Sequence, residues 1–106
     1  MVLDAEYVCP YDRPMGVEWD PAKAAANLRV HGVAFSEAAT VLVDDQALTR
    51  EDPDSRGEQR FVTLGLSATG QLLVVVYTHR RTEVYRIISA WRANRRQRQT
   101  YEQNRS

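Results

Sequence analysis

The chain predicts an α+β domain, a small and mainly antiparallel sheet packed by two N-terminal helices, in the order β-α-α-β-β-β-α. Three observations carry this expectation. Helix start and stop signals fall within residues 20–42 and a polar helical tail follows residue 90, leaving the middle of the chain to strands. Leu72-Leu-Val-Val-Val-Tyr77 is continuously apolar, rich in β-branched side chains and too short for a stable helix. Phe61–Leu66 and Val84–Ile88 flank that run as further strands. A length of 106 residues suits one domain, read here as residues 16–106.

Residues 1–15 contain Pro10 and Pro14 and no sustained period, so they read as a flexible arm, and Met15 is an alternative start. Val17 to Trp19 makes a short first strand. Asp20-Pro21 then opens a helix, because Asp caps the free N–H groups of the first turn and Pro at the first helical position loses no hydrogen bond. That helix should run to about His31, with Ala24, Ala25 and Leu28 as its apolar face and Gly32 as its left-handed terminator. Ser36-Glu37 caps a second, shorter helix in which Ala38, Val41 and Leu42 face inward.

From Val43 to about Glu58 the chain is polar and carries six carboxylates, which predicts an exposed loop. In Phe61–Leu66 the alternation puts Val62, Leu64 and Leu66 on one face of a half-buried strand. Ala68-Thr69-Gly70 supplies a hairpin turn into Leu72–Tyr77, the expected central strand. His79-Arg80-Arg81-Thr82 makes the next turn, and a helix that is polar nearly all round begins near Ala90.

Zero net charge conceals a division. Residues 1–60 hold twelve acidic and six basic side chains, and residues 61–106 hold two acidic and eight basic ones, so −6 stands against +6. The C-terminal part therefore expects an anionic partner, nucleic acid or an acidic protein segment, with solvation of a helix face as the alternative. All the basic residues except Lys23 are arginines, whose planar forks match phosphate and carboxylate oxygens two at a time. No stretch approaches the roughly 18 to 20 apolar residues of a membrane span, and no export signal is evident, so a cytoplasmic protein is expected. The lone Cys9 cannot form an internal disulfide, and the two histidines lack zinc-site spacing, so neither a metal nor a cofactor is expected.

Several segments together resemble the BrnT toxins: Val17-Glu-Trp-Asp-Pro-Ala-Lys23, Asn27-Leu28, His31-Gly-Val-Ala-Phe35, Glu37-Ala38, Gly57-Glu58-Gln59-Arg60 and Arg86-Ile-Ile-Ser-Ala90. The resemblance covers about residues 16–102 in order. It implies a RelE-like fold, ribonuclease activity that blocks translation, and a cognate antitoxin with a ribbon-helix-helix domain, through which operator DNA would be met only indirectly. Many BrnT-like sequences carry a Lys before the His-Gly step, a basic residue after Ile-Ser-Ala and a Glu among the C-terminal arginines. Here Val30, Trp91 and Gln97 stand in those places.

Cleavage of RNA by internal attack needs the 2′-hydroxyl deprotonated, the extra charge on phosphorus stabilised and the 5′-oxygen protonated. Arg60 and Arg86, both placed on or beside strands, are the candidates for the charge. Arg80, Arg92, Arg95 and Arg96 are candidates for gripping phosphates, the last three expected on one side of the C-terminal helix. His79 is either the base or an ordinary exposed histidine, and Glu58 is either a base or part of an acidic loop. Tyr101 either stacks an RNA base or pins the helix to the sheet. Trp91 and Arg92 are the expected antitoxin contacts, and Trp19 and Trp91 serve equally well as packing residues. Two functions remain open: an endoribonuclease toxin, or a catalytically weakened module acting mainly in an autoregulatory antitoxin–DNA complex.

Overall fold

A computed structural model of the chain describes residues 16–53, 55, 57–81 and 83–104, so the expected arm, residues 1–15, lies outside the described residues. The architecture is α+β, as expected, with the element order β1(Gly16–Glu18) α1(Pro21–His31) α2(Phe35–Val41) β2(Leu48–Glu51) β3(Phe61–Leu66) β4(Leu72–Arg81) β5(Val84–Arg92) α3(Arg95–Asn104). The five strands lie in the order β1-β5-β4-β3-β2. All neighbours are antiparallel except β1 and β5. Helices α1 and α2 cover one face, where Val33, Phe35, Ala38 and Val41 close over Leu73, Val75, Ile87 and Ala90.

The first helix begins and ends as its sequence dictates. Asp20 Oδ1 accepts a hydrogen bond from the Ala22 amide at 2.8 Å, and Gly32 sits at φ 69°, a conformation that costs side-chain-bearing residues energy. Its buried face differs from the expected one, because Ala25 and Leu28 are exposed and Asn27 is buried instead. The Asn27 amide donates to the carbonyls of Val33 and Ala90, and its oxygen accepts from the Ala90 amide. A polar side chain thus takes the place of a neighbouring strand where β1 no longer covers the edge of β5.

Other boundaries also move. A strand, β2, lies inside the expected acidic loop, fastened by the Thr49 and Thr63 hydroxyls at 2.7 Å. In β3 the more deeply buried residues are Thr63 and Gly65, with Val62, Leu64 and Leu66 half-buried. A Cβ at Gly65 would lie 3.0 Å from side-chain atoms of Val41, Asp44 and Ala47, so any larger residue there would have to push these neighbours aside. Helix α2 starts at Phe35 without a side-chain cap, and Glu37 instead accepts hydrogen bonds from Ser67 and Thr69 beside the expected hairpin turn. Strand β4 continues through the expected turn to Arg81, and β5 continues to Arg92. Trp91 and Arg92 are therefore strand residues. Asn94 and Gln97 exchange reciprocal side chain-to-amide hydrogen bonds at the start of α3, a capping box that Gln97 serves as well as Glu would.

Candidate functional site

Strand alternation decides which side chains meet. Glu18 pairs with Arg86, and Arg86 pairs with Thr78, so these three side chains share the face turned away from α1 and α2. Continuing the β3–β4 register one residue past Phe61↔Tyr77 brings Arg60 beside Thr78 on the same face. Thr78 is buried, and its hydroxyl donates to the Gln59 carbonyl at 2.8 Å, fixing the chain where Arg60 leaves it. Arg80, two residues along β4, completes an arginine row that crosses the sheet.

Carboxylates bracket this row. Glu18 Oε2 lies 3.5 Å from Arg80 Nε and 3.9 Å from Arg86 Nη1, while Glu58 Oε1 lies 3.9 Å from Arg60 Nε. These separations exceed the roughly 2.7–2.9 Å of a charge-assisted hydrogen bond, so the guanidinium donors are oriented without being consumed. Arg60 Nε is buried and makes no hydrogen bond. Leaving such a donor unsatisfied costs about 1–3 kcal/mol or more, which an incoming anion would recover. The side chains are 33% exposed at Arg86, 39% at Arg60 and 51% at Arg80, so the row is open to a ligand.

The structure does not bring the other expected residues to this row. His79 pairs with Tyr85 on the opposite face, its ring stacked against Phe61 and against Tyr85 with centroids 4.5 Å apart in each case. Burial among these rings holds its pKa below the ordinary value, favouring the neutral imidazole. Tyr101 is only 3% exposed and its hydroxyl donates to Asp44 Oδ2 at 2.8 Å, so it pins α3 and offers no ring face to a base. Arg92 pairs with Leu73, turning it towards the helices near Gly32 and Glu37. Hydrogen bonds from Thr69 and Ser67, with the charge of Arg92 contributing less, hold the Glu37 carboxyl below the usual carboxylate range. Arg95 and Arg96 are exposed on α3, and Arg96 overhangs a cavity of about 380 Å³ floored by Leu48, Val62, Leu64 and Val74. Trp91 lies beside His31, with ring centroids 6.0 Å apart, in a shallow depression that includes Val30. Trp19 packs edge-on against Phe35.

A family model described as the ribonuclease toxin BrnT of type II toxin–antitoxin systems matches residues 19–97. The chain belongs to the BrnT family. As a toxin of a type II system, this BrnT chain has an antitoxin as its partner. The fold is similar to that of the ribonuclease toxin BrnT of Brucella abortus, with 20% sequence identity and a TM-score of 0.57, over 76% of this chain and 99% of that one. No curated protein sequence matches the chain. None of the described helices is long and apolar enough to cross a membrane.

Within this BrnT chain, sequence reasoning missed Glu18 and Thr78 as site residues. Alternation in Val17-Glu18-Trp19, with Val17 packed against the core, was the available signal for an outward carboxylate. The departures at Val30 and Trp91 fall outside the arginine row, since Trp91 pairs with Val74, four residues along β4 from Thr78. At about 3.3 Å per residue that is some 13 Å from the row. They therefore remove no charge from it.

Proposed function

We propose that this BrnT chain is a metal-independent endoribonuclease that cuts RNA by attack of the 2′-hydroxyl on the adjacent phosphate and so blocks translation in the cytoplasm. The observation that carries the reading is the row of Arg80 and Arg86 on a rigid sheet with Arg60 at the start of β3, the buried Nε of Arg60 making no hydrogen bond. Arg60 and Arg86 stabilise the developing charge on phosphorus. Arg80 holds the same phosphate, while Arg92, Arg95 and Arg96 attract flanking phosphates from further along the molecule. Internal attack supplies its own nucleophile, so no metal-bound water is required.

A ribbon-helix-helix antitoxin would bring an acidic helical segment to Trp91 and Arg92, reaching operator DNA through its own domain. Val30, 68% exposed beside Trp91, supplies apolar surface for that contact and also favours the second reading, an interaction module of reduced activity. A labelled RNA separates them. The endoribonuclease reading expects cleavage in the presence of a chelator, with 2′,3′-cyclic phosphate ends, and no cleavage at a 2′-deoxy position. Intact RNA at high protein concentration would leave the interaction module as the function.

A further inference from the structure

Arginines stabilise charge but do not accept the 2′-hydroxyl proton at neutral pH, and the histidine placed nearest in sequence lies on the wrong face. The base must come from a carboxylate that is close to the row and not already engaged. Asp20 caps α1. Glu37 accepts from Ser67 and Thr69. Asp44 accepts from the amides of Gln46 and Leu66 and from the Tyr101 hydroxyl. Among the described residues, only Glu18 comes within 4 Å of two members of the row. Its backbone is fixed by the parallel register with β5, whereas Glu58 stands in the segment before β3 and reaches Arg60 alone.

We propose that Glu18 is the general base of the cleavage, an assignment that rests on the arginine row being the ribonuclease site. Contacts of 3.5 and 3.9 Å hold its carboxylate between Arg80 and Arg86 while its lone pairs remain open to a hydroxyl donor. When a phosphate takes the two guanidinium forks, the adjoining ribose comes beside the carboxylate that those forks bracket. The 2′-hydroxyl proton passes to a Glu18 oxygen, the O2′–P bond forms and the P–O5′ bond breaks. The leaving 5′-oxygen takes a proton from solvent water, and Glu18 returns its own to solvent. The products are a 2′,3′-cyclic phosphate and a 5′-hydroxyl, with no net consumption of water. Until RNA arrives, the same carboxylate keeps the two arginines apart and oriented, so one residue both presets the row and acts in it.

The test is the pH–rate profile of full-length protein on a short RNA, measured for wild type, Glu18→Gln and Glu58→Gln. Glu18→Gln is nearly isosteric at a side chain 42% exposed, and its melting temperature is recorded alongside. The expected result is a rate about 10² or more below wild type, the usual scale for a missing general base, and disappearance of the acid limb along which activity rises with pH. Affinity for an uncleavable 2′-deoxy analogue should fall by far less than the rate, because Gln keeps an oxygen between the two arginines and removes a negative charge beside the phosphate. A slowed Glu18→Gln that keeps the acid limb would reduce Glu18 to a positioning residue and overturn the assignment. Loss of the limb in Glu58→Gln alone would transfer the role to Glu58. Wild-type protein with no cleavage, or full cleavage by Arg86→Ala, would remove the site itself, a result distinct from failure of Glu18.

Discussion

Two arginine clusters that follow each other in the sequence end up at opposite ends of the sheet. Arg80 and Arg86 stand on strands and Arg60 immediately precedes β3, each with a carboxylate within 4 Å. Arg92, Arg95, Arg96 and Arg98 are exposed at the end of β5 and on α3, a helix with Tyr101 as its one buried residue. Counted along the chain, all of these except Arg60 fall in a single basic segment. The fold makes one of them a place where geometry can be held to fractions of an ångström and the other a diffuse field that screening salt weakens.

The sharpest way to break this distinction is to remove one arginine from each cluster. Arg86→Ala should lower RNA cleavage by roughly 10² or more, the scale for losing one donor to a transition-state charge, with the circular dichroism spectrum unchanged. Arg92→Ala should leave the turnover rate within about threefold and flatten the salt dependence of RNA binding, since a lost phosphate contact lowers the slope by about one. Equal losses of turnover in the two variants would erase the distinction between site and field.

The antitoxin contact is expected at the second cluster. Trp91 stands beside His31 and Val30 rather than in the core, so Trp91→Ala should fold. Its affinity for the antitoxin, read by isothermal titration, should fall by at least about 2 kcal/mol, near 30-fold, if the indole is a central anchor. A stable variant with affinity unchanged within threefold would place the anchor elsewhere.

What holds the second cluster to the sheet is modest, and the next expected effect is correspondingly smaller. Tyr101→Phe keeps the buried ring and deletes the hydroxyl that reaches Asp44. The cost should be about 1 kcal/mol, seen as a lower urea midpoint with an unchanged slope. The Asp44 carboxylate retains the Leu66 and Gln46 amides, which limits the loss. No change in midpoint would mean that α3 is held by its cap and its apolar contacts alone.

Legibility in the sequence follows the same division. Signals that act within a few residues were readable: Asp20-Pro21 and Gly32 bound α1, and the β-branched run marks β4. Elements fastened by distant partners were not. Strand β2 depends on the pairing of Thr49 with Thr63, and the inward face of α1 depends on Asn27 meeting Ala90, contacts that no local periodicity announces. Arginine chemistry was legible as residue type, but its partition needed the true ends of β4 and β5. Reading a turn at residues 79–82 and a helix from residue 90 left His79 at a strand end beside Arg80 and put Arg92 on the same helix as Arg95 and Arg96. The observed register turns His79 to the face opposite the arginine row, makes Arg92 a strand residue, and brings in Glu18 from a three-residue strand at the far edge.

The smallest expected effect belongs to the face that carries no arginine row, and it concerns His79. Desolvation beside the rings of Phe61 and Tyr85 disfavours the imidazolium, so the folded-state pKa lies below the ordinary 6.5. The unfolded chain then takes up a proton before the folded one does as pH falls. The contribution of His79 to stability is therefore level above about 6.5, declines as pH drops from there through the depressed folded value, and is flat again below it. The ring is partly exposed, which keeps the effect slight. Urea midpoints at pH 7.5 and 5.5 should differ more for wild type than for His79→Gln, and the comparison of differences cancels the stacking lost in the variant. Glu37 does not interfere, because its depressed pKa moves its own transition below the carboxylate value of 4.5, outside the window. An equal difference in both proteins would show that the stack leaves the histidine as it would be in water, and a larger difference in the variant would reverse the sign of the argument.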